Sequence, residues 1–223
     1  MMRAMSAQPT PGLPADAIAA FLNREADEHR QAFDALLPGL VAPFARTLAI
    51  WERSVRAGGK LLLFGNGGSA ADAQHIAAEL VIRYHANRPA IAAIALTTDT
   101  SALTAGANDF GFESIFARQI EALGRPGDVA VAISTSGRSP NVLAGLRAAR
   151  ARQLHTTCLT GTGAGDATSA STGTGGGAVH SLCDAVIAVP SHITARIQEL
   201  HIFLGHLLCK ALEQRLGLAA PSP

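Results

Sequence analysis

The sequence predicts an α/β fold: a parallel sheet of about five strands, with helices on both faces. Strand-like runs recur at residues 60–64, 90–96, 129–133, 155–160 and 183–189, and segments with helical spacing separate them. Such alternation implies parallel strands joined by crossover helices. The turns after the first and third runs are rich in Gly, Ser, Thr and Asn, and in a sheet of this kind ligands sit at the carboxyl ends of the strands.

Taken in order, residues 1–13 read as a frayed tail. A helix begins near Asp16, carries Ile18, Phe21, Leu22 and Phe33, and is expected to break at Pro38-Gly39. A second helix holds Leu40, Val41, Phe44, Leu48 and Trp51 and stops near Gly58-Gly59. This N-terminal pair, residues 14–59, needs a surface to lie on: its own domain or a neighbouring subunit, with equal claim. The domain proper spans 60–218. Its first strand runs into Gly65-Asn66-Gly67-Gly68-Ser69 and a helix from Ala70 to about Tyr84. Thr97-Thr98-Asp99 caps a short helix over 100–105; a loop covers 106–111 and a further helix 112–123. The third strand enters Ser134-Thr135-Ser136-Gly137-Arg138-Ser139-Pro140, and a helix leaves it. Residues 161–178 are low in complexity and read as a flexible insertion. A long helix from Thr194 to about Leu216 closes the chain.

The totals exclude several classes. Lys+Arg is 18 against Asp+Glu 17, so no basic footprint for nucleic acid exists. No uninterrupted apolar run reaches the roughly 18 residues of a membrane span, and the first residues lack a secretion signal. Three widely spaced cysteines form neither a zinc knuckle nor a disulfide framework. A reducing, cytoplasmic setting is expected. The Gly-rich loop is neither a Walker loop nor the dinucleotide fingerprint.

Two constellations carry chemistry. In the serine corner, Ser139 is an expected N-cap and Pro140 sits at the first helical position. Free backbone N–H groups, the positive end of a helix dipole and several hydroxyls suit a phosphate monoester. The second constellation places Asp72, His75 and Glu79 on one face of the helix after Gly68, and Gln198 and His206 on the same side of the last helix. These groups fit a divalent metal site, or a general base and acid in Glu79 and His206; a plain surface pair has the same spacing.

Gly65-Asn66-Gly67-Gly68-Ser69, Gln74-His75, Glu79, Asn108-Asp109-Phe110-Gly111-Phe112, Ile133-Ser134-Thr135-Ser136-Gly137 and Arg196-Ile197-Gln198-Glu199-Leu200-His201 together resemble the phosphoheptose isomerases of the sugar isomerase (SIS) superfamily. The likeness covers about residues 40–215. It implies a doubly wound parallel sheet, a homotetramer with intersubunit active sites, and N-terminal helices used in assembly. It also implies interconversion of D-sedoheptulose 7-phosphate and D-glycero-D-manno-heptose 7-phosphate, for bacterial surface heptose. Carried over, the zinc ligands would be His75, Glu79, Gln198 and His206, one ion per subunit. Glu79 and His206 would be the catalytic pair. Substrate contacts would come from Asn66, Gly67, Gly68, Asn108, Asp109, Ser134, Thr135, Ser136 and Ser139, with Glu79 and Gln198, and Arg83 assisting. Ala195 departs from the Asp several isomerases carry, and 161–178 is longer than usual. Pro190-Ser191-His192 also resembles the non-enzymatic DnaA initiator-associating protein, the alternative reading; the retained acid–base set favours the enzyme.

Overall fold

A computed structural model describes residues 14–162 and 177–218. Its strands are β1 (Leu61–Gly65), β2 (Ala93–Ala95), β3 (Val129–Ser134), β4 (His155–Gly161) and β5 (Ala185–Val189). All pair in parallel, in the order β2-β1-β3-β4-β5. Leu61 stands opposite both Ala93 and Val129, so β1 lies between β2 and β3. The direction of winding reverses there, and the crevice above the ends of β1 and β3 is the ligand position of such sheets.

Strand side chains divide between two layers because their period is two. Leu61, Leu63, Val129, Val131 and Ile133 pack on one face beneath α1 (Ala15–Arg56), α2 (Gly68–Val81) and α7 (Thr194–Arg215). Leu62, Phe64, Ala130 and Ala132 pack on the other. There α3 (Thr100–Phe110), a single 3₁₀ turn (Phe112–Ser114), α4 (Ile115–Leu123), α5 (Pro140–Ala151) and α6 (Gly177–Leu182) cover the sheet. Every residue of β1 and β3 is buried, which is why both read as apolar runs.

The structure corrects the sequence reading in four places. The expected pair of N-terminal helices is one helix of 42 residues running through Pro38 and Pro43. Each proline removes one backbone hydrogen bond. The helix continues because one face stays in contact throughout: Ala32, Leu36, Leu40, Thr47, Ile50, Trp51 and Ser54 are all buried. Second, α3 extends to Phe110, so Asn108 and Asp109 are helical rather than in a loop. Third, Gly161 ends β4 and Gly177–Leu182 is a helix, so only the middle of the expected insertion 161–178 lies outside the described residues, as does the expected tail 1–13. Fourth, β2 has only 3 residues, because it is an edge strand with Ile94 exposed.

The longest helix, α1, also meets the length and composition of a membrane span over an 18-residue window that tolerates interspersed polar groups. Its inner face packs on β5 and α7, although only 22% of that window is buried. Its outer face exposes Ile18, Phe21, Leu22, Leu37 and Val41.

On α7, His201 is fully buried, and neither ring nitrogen has a hydrogen-bond partner among the described residues. Burial lowers its pKa from 6.5 to about 4, with the Thr160 backbone opposing only in part. In the unfolded chain this ring takes up a proton near pH 6.5, whereas in the fold it does so only near 4. The unfolded state therefore binds more protons across that window, and stability falls as pH falls through it. Between pH 7 and 5 the loss from this residue is about 2 kcal/mol. Urea unfolding at the two pH values should show that His201→Leu loses less stability on acidification than the unsubstituted protein, by about that amount.

Candidate active site

Two loops meet at the winding reversal. The turn after β1 presents Asn66, and the start of α5 presents Asn141, which is 2% exposed. Their side-chain amides donate to each other reciprocally, both at 2.8 Å. The strand order brings them together, since β1 and β3 are neighbours. Sequence spacing gives Asn141 no role. It lies 75 positions from its partner, and only the strand order reveals the pairing.

The serine corner is folded tightly. The Ser134 carbonyl accepts from the Gly137 N–H at 3.2 Å and from Thr160 Oγ1 at 2.8 Å. Gly137 has φ 63, and a Cβ there would stand 3.0 Å from Thr160 Oγ1, so a side chain would be both strained and crowded. Ser136 Oγ accepts from the Arg138 N–H. Ser139 occupies the N-cap position of α5, as expected, but makes no side-chain cap bond; its hydroxyl instead lies 3.4 Å from Ser134 Oγ. Pro140 has no N–H and the Leu143 N–H bonds the Ser139 carbonyl, so the amides of Asn141 and Val142 are the ones that take no side-chain cap. Thr135 and Ser136 are half-buried at the mouth of the corner.

The second cluster lies between α2 and α7. His75 Nε2 is 2.8 Å from His206 Nε2 and 3.4 Å from Glu79 Oε1. Ligand atoms of His75, Glu79 and His206 all lie within 4.8 Å of one another. Two imidazoles and a carboxylate are donors that zinc takes. The close N···N contact is itself a hydrogen bond, so one ring nitrogen of the pair carries the proton. The helices can approach because Gly205 faces Ile76: a Cβ there would stand 2.6 Å from Ile76 Cδ1. Tyr84 packs its ring on His206 at 5.4 Å and 33°. Cys209, buried beneath, is pushed up to about 12 by its burial first and by the Glu79 and Glu213 carboxylates next, so it stays a thiol. Asp72, one turn before His75, is raised to about 6 by burial, with His75 opposing, and its Oδ2 is buried without a partner among the described residues.

Gln198 joins the two regions from a different side. Its carboxamide lies on Gly68, the first residue of α2, where a Cβ would stand 2.5 Å from Nε2. Seven residues of helix, about 10 Å, separate that point from His75. Not every expected residue converges. Asn108 and Asp109 are exposed on α3 and bonded to each other at 2.7 Å; no described hydrogen bond or ion pair joins them to either cluster. Arg83 is exposed just beyond α2. A separate polar cleft of about 200 Å³, lined by Arg150, Gln153, Leu154, His155 and Asp184, lies at the amino ends of β4 and β5, the opposite end of the sheet from this chemistry.

Residues 26–161 match the SIS domain family. The chain is 53% identical over 204 residues to the phosphoheptose isomerase of Paramagnetospirillum magneticum, covering 92% of this chain and 98% of that protein. The chain belongs to the phosphoheptose isomerase family. Phosphoheptose isomerase 1 of Campylobacter jejuni is 48% identical over 195 residues, 86% of this chain and 97% of its own. Among solved structures, the phosphoheptose isomerase of Neisseria gonorrhoeae superposes with a TM-score of 0.77 at 40% identity, covering 88% of this chain and 99% of that one. That of Francisella tularensis gives 0.79 at 33% identity, over 88% and 98%. These matches to phosphoheptose isomerases favour the enzyme over the adaptor alternative.

Gly68→Ala tests the contact on which Gln198 is seated. The displaced atoms are the far end of a flexible side chain, and Gly68 needs no unusual φ, so the fold should survive. Isomerase turnover should fall at least about tenfold while the melting temperature stays within a few degrees. Gly106→Ala, where the nearest atom is 3.7 Å away, should leave turnover unchanged.

Proposed function

We propose that this protein converts D-sedoheptulose 7-phosphate to D-glycero-D-manno-heptose 7-phosphate through an enediol, supplying heptose for the bacterial cell surface. The observation that carries the reading is the meeting of Glu79 and His206 from two helices on one edge, with His75 between them.

The reaction moves a carbonyl from C2 to C1. Glu79 takes the proton from C1, giving the enediol, and returns it at C2. His206 passes a proton between O1 and O2 as the double bond shifts. His75 stands within hydrogen-bonding reach of His206 and beside Glu79, and so orients both. The phosphate sits in the serine corner, on the hydroxyls of Ser134, Thr135, Ser136 and Ser139 and the first amides of α5. Asn66, Gly67 and Gly68 line the path between, and holding the phosphate there places the reacting carbons at the acid–base pair. Asn108, Asp109 and Arg83, exposed on the single chain, reach substrate across a subunit contact.

His75, Glu79 and His206 would hold a zinc ion, which would stabilise negative charge developing on the sugar oxygens; Gln198, seated on Gly68 in the single chain, would have to turn away from there to join as fourth ligand. A metal on either Glu79 oxygen would weaken the whole carboxylate as a base, so its roles as ligand and as base are not both at full strength in one state. The assembly is a homotetramer in the cytoplasm, with no nucleic-acid or membrane partner. The exposed stripe Ile18, Phe21, Leu22, Leu37 and Val41 on α1 supports such packing.

Purified protein should isomerise sedoheptulose 7-phosphate in a coupled or chromatographic assay. Glu79→Gln and His206→Ala should each lose at least about a hundredfold in kcat; turnover like that of the unsubstituted protein in either would remove that residue from the mechanism. Ser136→Ala should raise KM, and an unchanged kinetic profile would take Ser136 out of the phosphate site.

A further inference from the structure

The acid–base pair is assembled from two helices, and a buried ion pair ties their far ends together. Arg88, beyond the end of α2, has a side chain 1% exposed, as does Glu213 on α7. Arg88 Nε donates to Glu213 Oε1 at 2.8 Å. The rest of the guanidinium turns the other way. Nη2 donates to the carbonyl of Glu79 at 2.8 Å, and Nη1 to the carbonyls of Leu80 at 2.7 Å and Pro89 at 3.0 Å.

The Glu79 and Leu80 contacts fall on the last turn of α2, where carbonyls lack helical partners. A planar fork is the group able to satisfy several at once. Glu213 complements it on the following loop, where its oxygens accept from the N–H groups of Tyr84 at 3.2 Å and Ala86 at 3.4 Å. Although burial opposes it, the Arg88 bond and those two amides hold the Glu213 carboxyl below its ordinary value, so it stays charged. The loop it grips carries Tyr84, whose ring lies on His206.

We propose that Arg88 and Glu213 are positioning residues for the isomerase reaction. Arg88 holds the backbone of Glu79, and Glu213 ties it to α7 two turns after His206. The clamp sets the direction from which the carboxylate meets the substrate carbon. The Glu213-held loop seats Tyr84 against the imidazole. The proposal rests on Glu79 acting as the base.

The test compares kcat, KM and melting temperature in Arg88→Met/Glu213→Gln and in Arg88→Lys. The double variant leaves no buried charge; its single carboxamide oxygen can accept from only one of Tyr84 and Ala86, which use different oxygens of Glu213, and the bonds from Arg88 to Glu213 and to the carbonyls of Glu79, Leu80 and Pro89 are lost. Arg88→Lys keeps the charge opposite Glu213 but lacks the fork. Both should show kcat at least about tenfold down with KM within about twofold, the mark of an interaction felt in the transition state. Melting temperatures should fall, because buried carbonyls lose their donors, so kcat is read per folded subunit well below the unfolding transition. Undiminished kcat per folded subunit in either variant would overturn the proposal and leave the pair a purely structural one. Glu79→Gln, run in parallel, separates the two readings. If it stays active, the base assignment fails and this proposal with it. If it is inactive while the Arg88 variants turn over normally, positioning alone fails.

Discussion

The close approach of α2 and α7 is the constraint on which the site depends. Neither helix holds a working set by itself: His75 and Glu79 are on one, Gln198 and His206 on the other. Gly205 removes the side chain that would hold them apart, and Ile76 fills the space. One more carbon at that crossing would stand 2.6 Å from Ile76 Cδ1, so Ile76 would have to turn aside or the helices part. The fold supplies the pressure for this approach through buried Leu200, Leu204, Leu208 and Leu212, which anchor α7 on the sheet. The apolar core thus sets the spacing of polar groups at its edge.

A second constraint acts at the ends of β1 and β3. Parallel pairing of these strands puts the Gly-rich turn beside the serine corner, and the Asn66–Asn141 amide pair locks the two loops to one another. Such a pair satisfies two half-buried amides without a charge. The corner is shaped by backbone: Gly137 at positive φ, the Ser134 carbonyl held by Thr160, and a Ser139 hydroxyl that caps nothing. An N-terminal cap normally stabilises a helix by about 1 kcal/mol. A serine that forgoes the bond leaves donors aimed at the place a phosphate would occupy.

The sheet was legible in sequence because strands buried on both faces read as continuous apolar runs, and β1 and β3 are buried along their whole length. Pro38 misled because a local rule about proline was outweighed by non-local burial of Leu36, Leu40 and Ile50. Gly106 reads locally as a helix breaker, which makes 106–111 look like a loop, although Gly111, with φ 84, is where the helix ends. Helical spacing was enough to gather His75 and Glu79, since both lie on one element. Asn141, Tyr84, Arg88 and Glu213 were not recoverable that way. Each acts through a partner on another element, and the pairing follows from strand order and helix crossing rather than from spacing.

The proposed division between a phosphate grip at the serine corner and an acid–base cluster between α2 and α7 has a mechanistic consequence. Ketose and aldose carry the same phosphate on the same carbon, so whatever the corner contributes is contributed equally to both and to the enediol between them. Uniform binding of this sort positions the chain but does not lower the chemical barrier. The barrier must be lowered at the α2–α7 edge, where charge moves between carbon and oxygen. Geometry there has to be held more rigidly than at the corner, whose hydroxyls can rotate to follow an anion. The structure distributes its buried interactions accordingly: hydroxyls and amides at the corner, and at the other end a fully buried ion pair gripping the backbone of Glu79 itself.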